Sequence, residues 1–267
     1  MDFAQERIRA YLQHNRNGRT LDLVSCNLKN LPLNLPSDIQ SLYCQNNYLE
    51  ELPSNLPNSL EVLYCYNNKL KELPTNLPPS LRHFHCDFNF IKKLPSNLPI
   101  SLFDFHCDRN ELTELPLSLP PFIKYLNCSN NKLTELPLNL PPALIQLSCV
   151  HNQLTILPSN LPSSLQELYC NNNQLIALPL NLPTTLNILR CDDNKYLHIT
   201  KKYAKRFEIA VTPNYNQKAS MIQRVWKAKK YKYIMIDMIK NNNNVLHDSF
   251  KSYGDLNIIN LIVQFVC

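Results

Sequence analysis

Cysteine recurs at one fixed stride through most of this chain, and nothing else in the sequence constrains its fold as tightly. Cys44, Cys65, Cys86, Cys107, Cys128, Cys149, Cys170 and Cys191 are each separated by 21 residues. Leu23 stands one step before the first of them. An asparagine follows each cysteine by three positions, from Asn47 to Asn194, and Cys26 occupies the asparagine column one step earlier. Self-similarity at such a period belongs to a solenoid, in which each unit buries its apolar face against the next.

The unit reads L-x-x-L-x-C-x-x-N-x-L-x-x-L-P-x-x-L-P, as from Leu60 to Pro78. In Val62 to Tyr66 the residues alternate, so Leu63 and Cys65 point inward while Val62, Tyr64 and Tyr66 point outward, as on a strand. Asn68 then turns the chain, and its amide bonds backbone groups of its own or the next repeat in an asparagine ladder. Leu70, Leu73 and Leu77 complete the inward set. Pro74 and Pro78 fix φ and remove backbone donors, which suits an extended, polyproline-like return and not a helix. With strands ~4.8 Å apart, nine such coils stack to roughly 40 Å.

This pattern resembles the leucine-rich repeat, whose consensus is L-x-x-L-x-L-x-x-N/C-x-L. The short form with L-P-x-x-L-P is most similar to the repeats of bacterial effector proteins and to those of some large DNA viruses. The resemblance implies a horseshoe solenoid with a parallel β-sheet on the concave face, an extended convex side and helical caps. It divides the chain into an N-terminal helical cap (1–20), an array of about nine coils (21–199) and a basic, mainly helical tail (200–267). Effectors with similar repeats often carry a C-terminal ubiquitin-ligase domain. Only about 70 residues follow this array, and their single cysteine is Cys267, so that domain is not carried over. No F-box is recognisable.

Ten cysteines suggest disulfides only in an oxidising compartment. One cysteine per coil at the same inward position instead makes a column of parallel side chains, whose Cβ vectors do not converge as a bridge requires. Their expected role is that of a small buried hydrophobe. The start of the chain, charged and mixed, does not read as a secretion signal, and no stretch has the ~18 apolar residues of a membrane span. The expected setting is therefore a reducing intracellular compartment, such as a host cytoplasm.

Charge is unevenly distributed. Residues 195–267 hold 13 Lys/Arg and 4 Asp/Glu, a net of +9, which against +6 for the whole chain leaves −3 for residues 1–194. At the N-terminus Asp2 to Gln13 reads as a helix with an apolar stripe of Phe3, Ile8, Tyr11 and Leu12, stopped by Asn17-Gly18. After Asn194 the repeat decays, and Lys201 to Pro213 is placed to close the array. Asn216 to Lys240 is the most helical part of the tail. It contains a stretch resembling the IQ motif that binds calmodulin and related EF-hand proteins. Ile222 and Gln223 match, Lys227 and Lys232 stand for arginines, Ala228 stands for glycine, and Trp226 shares the apolar face. A basic amphipathic helix first reads as a cap on the last coil; it also fits a groove in an acidic partner, an anionic membrane surface or nucleic-acid phosphates.

Function is sought on the outward strand positions, because the inward ones barely vary. Those positions include Tyr43, Tyr64, Tyr66, His85, Asp87, His106, Asp108, Tyr125, Tyr169 and Arg190, an aromatic and polar mixture typical of protein-binding surfaces. His83, His85, His106, Asp87, Asp104 and Asp108 fall on adjacent strands. Without a His-x-x-x-His spacing they read as a solvated polar patch, and no metal or cofactor is expected. Two glycines in 267 residues leave nothing to build a phosphate cradle, and no G-x-S-x-G or P-loop occurs. The sequence thus points to a non-enzymatic, monomeric module presenting a rigid concave surface to an unidentified protein partner. It shows no specific nucleic-acid reader. The alternatives are an adaptor whose tail binds a calmodulin-like protein and a substrate receptor for a ubiquitin ligase.

Overall fold

The computed structural model describes residues 6–8, 11, 19–32, 35–197 and 199–207. Nine strands of three residues each form one parallel sheet in strict sequence order. They are β1 (Thr20–Asp22), β2 (Ser41–Tyr43), β3 (Val62–Tyr64), β4 (His83–His85), β5 (Asp104–His106), β6 (Tyr125–Asn127), β7 (Gln146–Ser148), β8 (Glu167–Tyr169) and β9 (Ile188–Arg190). Each residue pairs with the one 21 positions later, as Leu63 with Phe84 and Tyr64 with His85. The period of the sequence is therefore the register of the sheet. The solenoid is of the leucine-rich-repeat kind, with the parallel sheet on one side and an extended return on the other.

The middle residue of every strand is buried and the flanking two face outward. Leu63, Phe84, Phe105 and Leu147 have no exposed surface, and the Phe84 and Phe105 rings stack at 5.6 Å. Leu70, Leu73 and Leu77 are buried as expected. The second proline of each unit has a role beyond stiffness. Its carbonyl accepts the N–H three residues on, as Pro57 O from Leu60 N (3.1 Å) and Pro162 O from Leu165 N (3.0 Å), closing a turn that leads into the next strand. Ser59, Ser101, Ser164 and Thr185 add hydroxyl bridges from this turn to two carbonyls of the preceding coil.

A three-residue strand is too short to hold an inter-coil register unaided, and the asparagine column supplies what is missing. Asn131 Nδ2 donates to Cys107 O in the preceding coil (3.0 Å) and to Cys128 O and Ser129 O in its own (3.1 Å each). Its Oδ1 accepts from Leu112 N at 2.9 Å. The same contacts recur from Asn47 to Asn194, and all eight asparagines are buried. The ladder thus ties each coil to the one before it, where the sequence left its direction open. The residue just ahead of each ladder asparagine is left-handed, with φ between 51° and 59° at Asn46, Asn67, Phe88, Arg109, Asn130, His151, Asn172 and Asp193, and Ser25 ahead of Cys26 is left-handed too. Asparagine and aspartate adopt that conformation readily, whereas Phe88 and Arg109 hold it at a cost of about 1–2 kcal/mol each.

The eight column cysteines, Cys44 to Cys191, are buried and unbridged. Several thiols face carbonyls of the next strand, as Cys128 Sγ toward Ser148 O at 3.4 Å. Burial pushes their ionisation up, to about 12 at Cys44 and Cys128 and about 11 at Cys191.

At the C-terminal edge, helix α1 (Lys201–Arg206) closes the last coil. Thr200 caps its first turn by accepting from Tyr203 N. Buried Tyr203 accepts from Leu182 N at 3.0 Å and donates to Leu180 O. Arg206 Nη2 donates to Pro183 O, Thr184 O and Leu186 O, which continues the hydroxyl bridges one step further with a guanidinium. At the other edge Glu6–Ile8 and Tyr11 are helical, and Ile8 and Tyr11 join the core. Arg7 there pairs with Asp22 at 2.9 Å. The rest of the expected N-terminal helix, with Phe3 and Leu12, lies outside the described residues.

Two outcomes are expected. Asn131→Ala strands a buried N–H at Leu112 and a carbonyl at Cys107, and should lower unfolding stability by about 3 kcal/mol, read from urea unfolding followed by circular dichroism. The second concerns pH. The folded thiols titrate above their unfolded value of about 8.5, so their stabilisation is complete below that pH. It is lost as pH rises toward the folded values, at about 1.4 kcal/mol per unit for each thiol. Under reducing conditions the sheet should melt cooperatively between pH 9 and 11 (~2 units above neutral and beyond,). A sheet signal intact at the top of that range would contradict this.

Candidate functional site

The outward strand positions form one continuous face, and its centre is a run of stacked rings. Tyr43 lies 5.3 Å from Tyr64, Tyr64 stacks on His85 at 4.3 Å, and His85 stacks on His106 at 4.1 Å with the planes 4° apart. The cause is the register. Equivalent positions on adjacent parallel strands are ~4.8 Å apart, so planar side chains repeated at 21 residues meet; Tyr64, His85 and His106 stack face to face, and Tyr43 is tilted by 42° to Tyr64. Tyr66 flanks the run at 6.4 Å from Tyr64.

Asp104 organises the histidines. Its Oδ2 receives His85 Nε2 at 3.0 Å and lies 3.5 Å from His83 Nδ1. Its Oδ1 is 3.2 Å from His106 Nε2, a charge contact whose alignment falls short of a directed hydrogen bond. Burial would raise the Asp104 carboxyl, but His106 and His85 outweigh it and hold the group well below the usual carboxylate range. Burial likewise would lower His106, and Asp104 with Asp108 and Asp87 reverses that, so His106 titrates above its ordinary value.

On the other side of the rings stand Asp87 and Asp108. Burial raises both, Asp108 to about 6 with help from the Asp87 charge. Asp108 Oδ1 accepts from Asn127 Nδ2 at 2.9 Å, and Ser129 and Ser148 hydroxyls meet at 2.7 Å beyond it. One acceptor atom from each of His85, Asp87 and His106 lies within 4.8 Å of the others.

The structure therefore brings together Tyr43, Tyr64, Tyr66, His85, His106, Asp87 and Asp108. Tyr125 sits at the sheet margin against Phe103, edge-on at 5.7 Å. Tyr169 bonds Glu167 at 3.0 Å, and Arg190 is exposed on the last strand. Two residues matter more than the sequence indicated. Asp104 is the hub of the histidine cluster. Phe103 carries Lys124 Nζ 5.0 Å above its ring and lines a depression with Glu61, Arg82, Phe122 and Lys124. The signal for Asp104 was present, since it follows His83 by 21 residues in one outer column and precedes His106 by two. The IQ-like residues Ile222, Gln223, Trp226, Lys227, Ala228 and Lys232 lie outside the described residues.

Asp104→Asn removes the negative charge that raises His106 while keeping the side-chain shape. His106 should then titrate at a lower pH, measured by NMR of its ring protons. An unchanged His106 titration would mean that Asp104 is not its partner.

No protein-family model matches the chain, and no curated protein matches it. Solved structures do. YopM, a leucine-rich effector protein of Yersinia pestis, is 37% identical, with a TM-score of 0.65 over 71% of this chain. The match spans about half of that protein, 53% of its length. The leucine-rich-repeat domain of a Shigella effector is 33% identical with a TM-score of 0.52, covering 76% of this chain and 79% of that domain. The Leptospira interrogans leucine-rich-repeat protein LIC12759 shares the fold at 23% identity, with a TM-score of 0.61 over 78% of this chain and 62% of its own. With its 21-residue register, its asparagine ladder and these likenesses together, the chain belongs to the leucine-rich-repeat proteins and is similar to bacterial effectors among them.

Proposed function

We propose that this protein is a binding module that captures a protein partner on the outward face of its sheet. The observation that carries the reading is the ring run from Tyr43 to His106. Four side chains of large contact area stand on a backbone fixed by the ladder, so little conformational entropy is lost when a partner covers them. The inward columns repeat almost unchanged while this face changes from coil to coil, which matches a surface shaped for a particular partner. The similarity to effector domains agrees with this role. The chemistry of the face favours binding over catalysis. Its histidines are engaged with Asp104.

The buried unbridged thiols support function in a reducing compartment. Among the described residues, no helix is long and apolar enough to cross a membrane. The basic tail, with its IQ-like stretch, remains a second contact for an EF-hand partner on sequence grounds alone.

The test compares two faces. Tyr43→Ala with Tyr64→Ala should weaken capture of the partner from host lysate at least tenfold, by quantitative mass spectrometry. Leu117→Ser with Leu138→Ser, which alters exposed leucines away from the strands, should leave capture unchanged. The reverse pattern would place the partner elsewhere.

A further inference from the structure

The histidine pair on β4 and β5 is arranged for more than contact. Asp104 Oδ2 lies 3.0 Å from His85 Nε2 and its Oδ1 lies 3.2 Å from His106 Nε2, so on each ring it is Nε2 that faces the carboxylate. Nδ1 of each ring is the nitrogen that does not face Asp104. A carboxylate gripping one imidazole nitrogen while the other faces a shared space is the outer-shell arrangement of metal-bound histidine. Here a single carboxylate serves two histidines at once.

The rings stack at 4.1 Å with nearly parallel planes, so their Nδ1 atoms emerge side by side. Asp87 follows His85 by two residues and so stands on the same face, at the end of the rings away from Asp104. Ligand atoms of His85, Asp87 and His106 fall within 4.8 Å of one another. A tetrahedral ion with bonds of ~2.1 Å holds its ligands roughly 3.4 Å apart, a contraction that side-chain rotation provides. Asp108 adds a second carboxylate on the same side. It is nearly buried, with one oxygen bonded to Asn127 and the other 3.9 Å from Arg109 Nε. Three carboxylates crowd this part-buried patch, and a dication would neutralise two of them.

We propose that His85, His106 and Asp87 form a binding site for a divalent transition ion of the zinc type, with Asp104 as the positioning carboxylate and Asp108 beside it. Two imidazoles select such an ion over calcium or magnesium, which prefer oxygen ligands. Three protein ligands leave a fourth position open on the outward face, where water or a partner's side chain binds. The absence of a His-x-x-x-His spacing is no obstacle. In a solenoid the ligand spacing is set by the 21-residue register (85 to 106) and by the strand alternation (85 to 87), neither of which is a helical motif.

The test is zinc titration calorimetry on the full chain in a non-chelating reductant, with circular dichroism in parallel. The wild type should take up one more equivalent of Zn2+ than His85→Ala/His106→Ala, with the sheet signal intact. Asp87→Asn keeps both rings and should weaken that equivalent at least tenfold. Asp104→Asn should weaken it by about 10- to 100-fold without abolishing it. With Co2+ in place of zinc, the visible spectrum should be that of nitrogen and oxygen ligands without thiolate charge transfer. Equal uptake by the wild type and the double variant would overturn the site. So would a thiolate spectrum, uptake that accompanies loss of the sheet, or calcium binding in place of zinc. Should the double variant not fold, an unchanged Zn2+ affinity in Asp87→Asn would refute the site by itself.

Discussion

Everything in this molecule depends on how buried backbone polar groups are satisfied where the chain leaves the sheet. A strand of three residues pairs only part of each coil, and the chain must then turn through an apolar interior. An unpaired N–H or carbonyl there costs about 1–3 kcal/mol. One asparagine per coil meets the requirement with four contacts, to carbonyls on both coils and to one N–H of the coil before. No other side chain offers two donors and an acceptor at this reach. The ladder therefore imposes both the identity of the residue and its interval. Once the interval is fixed, leucines, prolines and cysteines at constant offsets fall into columns, and each column faces one environment.

The same regularity determines what the outward face can be. Parallel register places equivalent side chains ~4.8 Å apart, which is close to the stacking distance of planar rings. Tyrosine and histidine at one offset in four successive coils therefore form a stack instead of a scattered set. The carboxylates at the neighbouring offsets bracket it, Asp104 at one end of the rings and Asp87 and Asp108 at the other. Binding surface and ligand cluster are consequences of a scaffold that gives side chains of one kind no choice but to meet.

Much of this was legible beforehand because a solenoid turns spatial neighbours into sequence neighbours at a fixed distance. Leu63, Phe84 and Cys65 could be placed inward, and Tyr64 and His85 outward, from alternation and period alone. What escaped lies where the repetition is broken. Tyr203 and Arg206 have no counterpart in the unit, yet Arg206 supplies the bonds that the hydroxyl of a tenth coil would have made, and Tyr203 ties the helix to Leu182 N and Leu180 O. Phe88 and Arg109 occupy a left-handed position that asparagine holds at Asn46, Asn67, Asn130 and Asn172, and no local pattern marks them. They are held there by coils on either side, with the Arg109 guanidinium 4.3 Å above the Phe88 ring.

The sequence by itself determined the architecture. Its 21-residue interval, inward columns and asparagine ladder admit one way to bury leucine while bonding the backbone, and cysteine at the inward offset had to be a buried thiol. Only the tertiary structure decided what the face carries. That Asp104 joins three histidines, that two imidazoles share one carboxylate with Asp87 close by, and that Tyr203 closes the last coil depend on the directions side chains take. Those directions are set by contacts across coils. A repeat specifies where each Cα stands, and the packing of neighbours specifies where each side chain points.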